Sequence, residues 1–201
     1  MRVLQVIVIL LSVLLFVTGC ENYEVSSLNI EELEKVAEQY FHSADTTDEA
    51  QIRPRIESIY SIPKTNRKIV LFRTGYEQCY GFTQLEGKGE NKYEFVGGSD
   101  ISNGPFTGGF IEIDNKTYYV MVIDNKGGEI SKVVIKQKSV FSHSFTPQNN
   151  LSVSLITVSE KTYNDMSILE TEITFFDENG KDISERIKKR FPNTILEGIG
   201  G

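Results

Sequence analysis

The sequence predicts an α+β fold, mostly antiparallel β, with an N-terminal amphipathic helix packed on a sheet and a C-terminal β-meander or sandwich-like part. Three observations carry that expectation. One segment, beginning at Asn29, spaces its apolar residues at the helical period. From residue 56 onward, short β-branched and aromatic runs alternate with Gly, Asn, Asp and Pro, the signature of strands and hairpins. No repeat of solenoid length and no low-complexity segment breaks that order.

The helix comes first. Asn29 can cap it, and Glu32, three residues on, can complete a capping box. Leu28 and Leu33 occupy the staple positions on either side of the cap. Ile30, Leu33, Val36 or Ala37, and Tyr40 or Phe41 line one face, while Glu31, Glu34, Lys35 and Glu38 fall on the other. The helix is expected to end near His42-Ser43, before a polar loop, SADTTDEAQIRP.

Strands are expected at 56–62, 68–74, 78–86 and 92–96, with Gly87 to Asn91 as a five-residue hairpin loop. The stretch 97–109, GGSDISNGPFTGG, holds five glycines and a proline. It reads either as a long loop or as a boundary between a helix–sheet unit, 29–98, and a β unit, 108–190. Its glycine pairs, Gly97-Gly98 and Gly108-Gly109, read as turn residues.

Beyond it, 110–113, 118–123 and 130–135 suggest a three-strand meander. Its turns nearly repeat: Ile113-Asp114-Asn115-Lys116 and Ile123-Asp124-Asn125-Lys126. Asp-Asn tolerates positive φ and suits tight hairpins, which accounts for the repetition without a binding role. Further strands follow at 151–158 and 169–176. In the latter, Leu169, Thr171, Ile173 and Phe175 alternate with Glu170, Glu172, Thr174 and Phe176, giving one buried and one largely wet face. A short helix at 183–190 is stopped by Pro192.

The first nineteen residues stand apart. Met1-Arg2 is positive, and Val3 to Val17 is apolar except for Gln5 and Ser12. As a helix that run is about 22 Å long, short of the roughly 30 Å hydrocarbon core of a bilayer. A positive start, a short apolar run and small residues at its end form the pattern of a secretory signal. Val17-Thr18-Gly19-Cys20 resembles the lipobox of bacterial lipoproteins. The resemblance implies a diacylglyceryl group on the Cys20 thiol, cleavage between Gly19 and Cys20, and an N-acylated Cys20 as the first mature residue. It also implies a signal peptide at 1–19, a tether at 20–28, an extracytoplasmic domain at 29–201, and a membrane partner reached through the covalent lipid. Two acyl chains give stable anchoring where one gives only reversible binding. The Lys-, Asn- and Ile-rich composition, with Glu21 directly after the cysteine, suits a Gram-positive host.

The chain has 21 basic and 28 acidic residues, a net charge of −7, which becomes −8 once Arg2 is removed with the signal. Phosphate backbones and anionic headgroups repel such a chain, so nucleic acid is not an expected partner and membrane adhesion falls to the lipid. The basic run Arg186-Ile187-Lys188-Lys189-Arg190 reads as a solvated helix face. If Cys20 carries lipid, Cys79 is alone, which removes any intramolecular disulfide, any CxxC pair and any multi-cysteine metal site.

Motifs for chemistry are weak. Asp177-Glu178-Asn179-Gly180-Lys181-Asp182 has acidic calcium-loop character, but Asp182 and Lys188 stand where an EF-hand needs Gly and Glu, so a turn is expected there. Cys79 would need His42 or His143 beside it to act as a nucleophile, and is expected to be a small buried side chain instead. Two histidines 101 positions apart, without HExxH, make zinc an unexpected cofactor. No catalytic, cofactor-binding or metal-binding residue is therefore assigned. The aromatics Tyr76, Tyr80, Phe82, Tyr93 and Phe95, and then Tyr118, Tyr119, Phe141 and Phe145, are core or cross-strand residues, or else part of an exposed recognition surface.

The function expected on these grounds is a lipid-anchored, non-enzymatic binding or interaction module of the cell envelope, with a protein or envelope component as partner. Two alternatives stand beside it. One is an envelope glycan hydrolase working through paired carboxylates, which leave no local motif. The other is a small solute-binding lipoprotein.

Overall fold

The β-branched and aromatic runs do form strands, and their burial pattern decides how the sheets stack. The computed structural model describes residues 24–25, 28–44, 53–75, 79–99, 101–137, 141–158 and 171–191. The lipobox, with Gly19 and Cys20, lies outside them, as do Tyr76 and the proposed cleavage point. The elements are β1 (Glu24–Val25), α1 (Ile30–Ala44), β2 (Pro54–Ser61), β3 (Arg67–Thr74), β4 (Tyr80–Gly89), β5 (Lys92–Gly98), β6 (Phe106–Ile113), β7 (Lys116–Asp124), β8 (Lys132–Gln137), β9 (Phe141–Phe145), β10 (Leu151–Val158), β11 (Thr171–Phe176) and α2 (Ser184–Arg190). The fold is thus α+β and mostly β, and every strand pairing is antiparallel.

Among the described residues three sheets form: a first of order β1-β5-β4-β3-β2, a middle one of order β10-β7-β6, and a third of order β11-β8-β9. Alternation along β7 shows how they stack. Tyr119, Met121 and Ile123 enter a buried cluster with Val133, Ile135 and Phe175 of the third sheet and Ile183 and Ile187 at α2. Val120 and Val122 enter another, with Ile69, Leu71, Tyr80 and Phe82 of the first sheet. The middle sheet is therefore buried on both faces, as its nearly unbroken apolar run, Tyr118 to Ile123, requires. Val120, Met121, Val122 and Ile123 are fully buried, each contributing up to about 1.5–3 kcal/mol. By contrast, β11 keeps its alternation: Phe175 is buried and Glu172 exposed.

On its other parity the first sheet contributes Val70, Phe72, Leu85 and Phe95 to a third cluster, which also holds Val25, Leu33 and Ala37. Asn29 caps α1 as the sequence predicts, its Oδ1 accepting the N–H groups of Glu31 at 2.9 Å and Glu32 at 3.4 Å. Glu34 of α1 accepts the backbone N–H of Ile56 on β2 at 2.9 Å. Tyr40, Phe41 and His42 lie outside the described side chains. Glu24–Val25, within the expected tether, form an edge strand opposite Glu94 and Tyr93.

Several expectations need correction. The loop expected at Gly87 to Asn91 shrinks to Glu90-Asn91, because β4 continues to Gly89 around a bulge at Lys88. Lys88 bonds Glu86 at 2.6 Å and Glu94 at 2.8 Å, which holds that extension closed. Neither glycine pair is a turn: Gly97 and Gly98 end β5, and Gly108 and Gly109 lie inside β6. A Cβ on Gly108 would come within 2.6 Å of the Tyr119 hydroxyl and 2.7 Å of the Val120 carbonyl, so only glycine admits the tyrosine there.

The expected three-strand meander does not form. β6 and β7 are a hairpin, but β8 leaves for the third sheet, and β10 takes the vacant edge of β7. The two Asp-Asn turns diverge accordingly. Asp114 and Asn115 have φ of 50° and 59°, a tight hairpin. Asn125 instead starts the crossover: its side chain donates to the Ile130 carbonyl at 3.0 Å and accepts the Ile130 N–H at 2.9 Å. Strand β9 has no counterpart among the strands expected from the sequence.

Candidate functional site

A well-formed concavity follows from how the chain turns out of β11. Asp177 Oδ1 accepts the N–H groups of Asn179 at 3.0 Å and Lys181 at 2.9 Å, and Gly180 takes φ of 74°. This is the turn expected from Asn179-Gly180. The returning chain makes a bridge between Phe176 and Asp182, and Ile183 N–H bonds the Phe175 carbonyl at 2.8 Å. Asp182 Oδ1 accepts the Ser184 N–H at 2.8 Å, while the Ser184 hydroxyl accepts the Phe175 N–H at 3.0 Å. α2 is thereby set against β11 at an angle that leaves a cleft of about 690 Å³.

Its floor is apolar, built from Phe106, Ile173, Phe175 and Ile183, and its rim carries Glu172, Asp177, Asp182 and Glu185 beside Lys181, Arg186 and Lys188. Such a site can take a polar ligand with an apolar side. Its fitness for acid–base hydrolysis is limited by Asp182. The Ser184 hydroxyl and N–H hold that carboxyl below its usual range, whereas a general acid needs its pKa raised. Arg186 and Arg190 are not simply solvated, as the basic run suggested. Both reach Glu129 in the β7–β8 connection, Arg186 at 3.2 Å, and Lys188 pairs with Glu185 at 3.2 Å.

A second polar cluster joins the first and middle sheets. Arg73 of β3 grips Asp124 of β7 with two hydrogen bonds, of 3.0 and 2.7 Å. Glu57, pushed out by a bulge in β2, stands 3.6 Å from Arg73 Nε, and the guanidinium lies 5.7 Å from the Tyr80 ring centre. Burial would lower the Arg73 pKa, but the bonds and charge of Asp124 outweigh it and raise it. The Tyr80 phenol is pushed well up by burial and then by the Asp124 charge. Arg73 has its planar donors matched by one carboxylate, so this cluster holds two sheets together rather than a ligand.

A third contact joins the middle and third sheets. His143 Nε2 lies 3.0 Å from Ser154 Oγ, and burial lowers the imidazole pKa. That spacing matches a nucleophile–base pair. Ser154, however, is a buried side chain of β10 whose neighbours at alternate positions, Ile156 and Val158, belong to the inter-sheet cluster. The pair reads as an inter-sheet bond. No signal in the sequence marked it, because the two residues come from strands with no shared motif.

The remaining candidates fall as follows. Cys79 is buried at the start of β4, as expected of a small core side chain, and its carbonyl accepts the Thr74 N–H at 2.8 Å. Tyr80, Phe82, Phe95 and Tyr119 are buried core residues, Tyr93, Tyr118 and Phe145 are half-buried, and the side chain of Phe141 lies outside the described ones. No helix among the described residues is long and apolar enough to cross a membrane. No group of three or more His, Cys, Asp or Glu placed to hold a metal occurs among them either. No family model, no curated protein and no solved structure matches the chain.

Proposed function

We propose that the mature chain is a lipid-anchored extracytoplasmic protein that serves as a non-enzymatic binding module of the cell envelope. The observation that carries this reading is Val17-Thr18-Gly19-Cys20 at the end of a short apolar run, followed at once by Glu21. In this reading α1 lies over the first sheet as a fixed cover, and the strands from β6 onward act as a sandwich that displays the cleft beside α2. The mixed charges of the rim suit a partner with polar groups of both signs.

The test is mass spectrometry of the N-terminal peptide from membranes of the host or a bacterial surrogate. The expected peptide begins at Cys20 and carries a diacylglyceryl thioether, and Cys20→Ser yields none. A mature chain beginning elsewhere, or an unmodified Cys20, would refute the anchor.

The four carboxylates of the rim favour a second reading, the glycan hydrolase. It predicts that a soluble chain beginning at Glu21 releases reducing ends from cell-wall glycan. It further predicts that Glu172→Gln or Asp182→Asn abolishes the release without lowering stability. Absence of release by the native chain leaves the binding module as the reading.

A further inference from the structure

A lipid anchor at Cys20, the reading on which the orientation argued below depends, has a geometric corollary once β1 is placed. Glu24–Val25 pair with Glu94 and Tyr93, and Val25 is fully buried, so Glu24 already belongs to the folded body. Only residues 21–23 separate it from Cys20. Four residue steps span at most about 14 Å even when fully extended. A lipid on Cys20 therefore holds β1 within that distance of the headgroups, whatever path the three residues take.

Two further observations point to the same edge. The exposed large hydrophobic side chains among the described residues are Ile30, 54% exposed, and Val96, 36% exposed. Ile30 opens α1, five residues after β1, and Val96 lies on β5, the strand that β1 pairs with. Because β1 runs antiparallel to β5, the N-terminal end of β1 points towards Phe95 and Val96. Two carboxylates further along the same sheet are offset: Glu86 is paired with Arg67 at 3.1 Å and with Lys88, which also bonds Glu94.

We propose that the β1 edge of the first sheet, with Ile30 and Val96, is the face that rests on the lipid bilayer, so that the sheet stands edge-on and presents β2 outward. The opposite edge lies four strand spacings away, about 19 Å. Burial of two apolar side chains in the headgroup region would not hold the protein there alone. It would orient a body that the acyl chains already hold.

The test uses the full lipidated chain in phosphatidylcholine vesicles that contain a headgroup-labelled acceptor lipid. Donor dyes are placed on Glu24→Cys or Lys92→Cys near the proposed contact edge, and on Ser61→Cys at β2. Cys79→Ala removes the native thiol, and lipidated Cys20 does not react. Energy transfer is expected to be clearly stronger from positions 24 and 92 than from 61. Inserting about twelve Gly and Ser residues between Asn22 and Tyr23 is expected to weaken that difference by lengthening the tether. Charged Ile30→Asp with Val96→Asp should weaken it with the tether unchanged. Equal transfer from the three positions, or stronger transfer from 61, overturns the orientation. Mass spectrometry of the same samples separates the two readings. A thioether lipid on Cys20 with equal transfer sinks the orientation alone, whereas an unmodified Cys20 sinks the anchor.

Discussion

The tetrapeptide Ile-Asp-Asn-Lys occurs at 113–116 and again at 123–126, and the fold uses the two copies in opposite ways. The first is an exposed hairpin turn, with Asp114 and Asn115 both at positive φ. The second ends β7 and opens a crossover to another sheet, with Asp124 gripped by Arg73, fifty-one positions away, and Asn125 buried around Ile130. The shared sequence shares a local preference. What separates the copies is whether a distant partner offers more than the turn does. A charge-assisted bidentate pair and a buried amide bracket outweigh the modest advantage of a hairpin.

That comparison can be broken most sharply at the aspartates. Asp124→Ala takes both short hydrogen bonds from the Arg73 guanidinium and leaves it, with only 13% of its side chain exposed, the more distant Glu57 alone. Unfolding in urea should report a loss of about 3–5 kcal/mol. Asp114→Ala, in the exposed copy, should cost less than about 1 kcal/mol. Similar losses at both positions would mean that the two copies do not differ in the way described.

The asparagines come next. Asn125→Ala strips the partner from both the N–H and the carbonyl of Ile130, a loss of about 1–3 kcal/mol, read from the thermal midpoint. The other flank of the middle sheet gives a smaller effect, carried by His143 and Ser154. Burial holds the imidazole below its ordinary value, so the unfolded chain takes up the proton first as pH falls. This part of the stability is present above about pH 6.5 and is lost as pH falls from there towards the lowered folded value. His143→Gln should flatten the slope of stability below about pH 6.5. An unchanged slope would remove His143 as its source. Asn115→Gly is the smallest change, within about 0.5 kcal/mol of neutral, because glycine accepts the same φ.

Much of the local structure was legible. The run LSVSLITV is a strand over the expected bounds, Asn29 caps α1, and Asn179-Gly180 turns as expected. These features depend on neighbours in sequence, and a periodic pattern or a cap is written there. Pairing partners were harder. Nothing around Lys132 says that β8 joins β11 rather than β7, since the decision rests on Asn125 and Arg73. β9, FSHSF, was hidden because two serines and a histidine make its apolar signal thin. The cleft was partly in view, as the turn at 177–182, but its floor needs Phe106 from another sheet.

The middle sheet, packed on both of its faces, has a consequence for how the protein is made. β10 reaches β7 only after β8 and β9 have been laid down elsewhere, so the chain must close long loops before its central layer is complete. A product that stops before Leu151 would leave Val120 and Val122 beside an unpaired strand edge. Such an edge invites pairing with another copy. Truncated or slowly folding chains should therefore be aggregation-prone and early targets of proteolysis, while the finished protein has that edge of β7 covered.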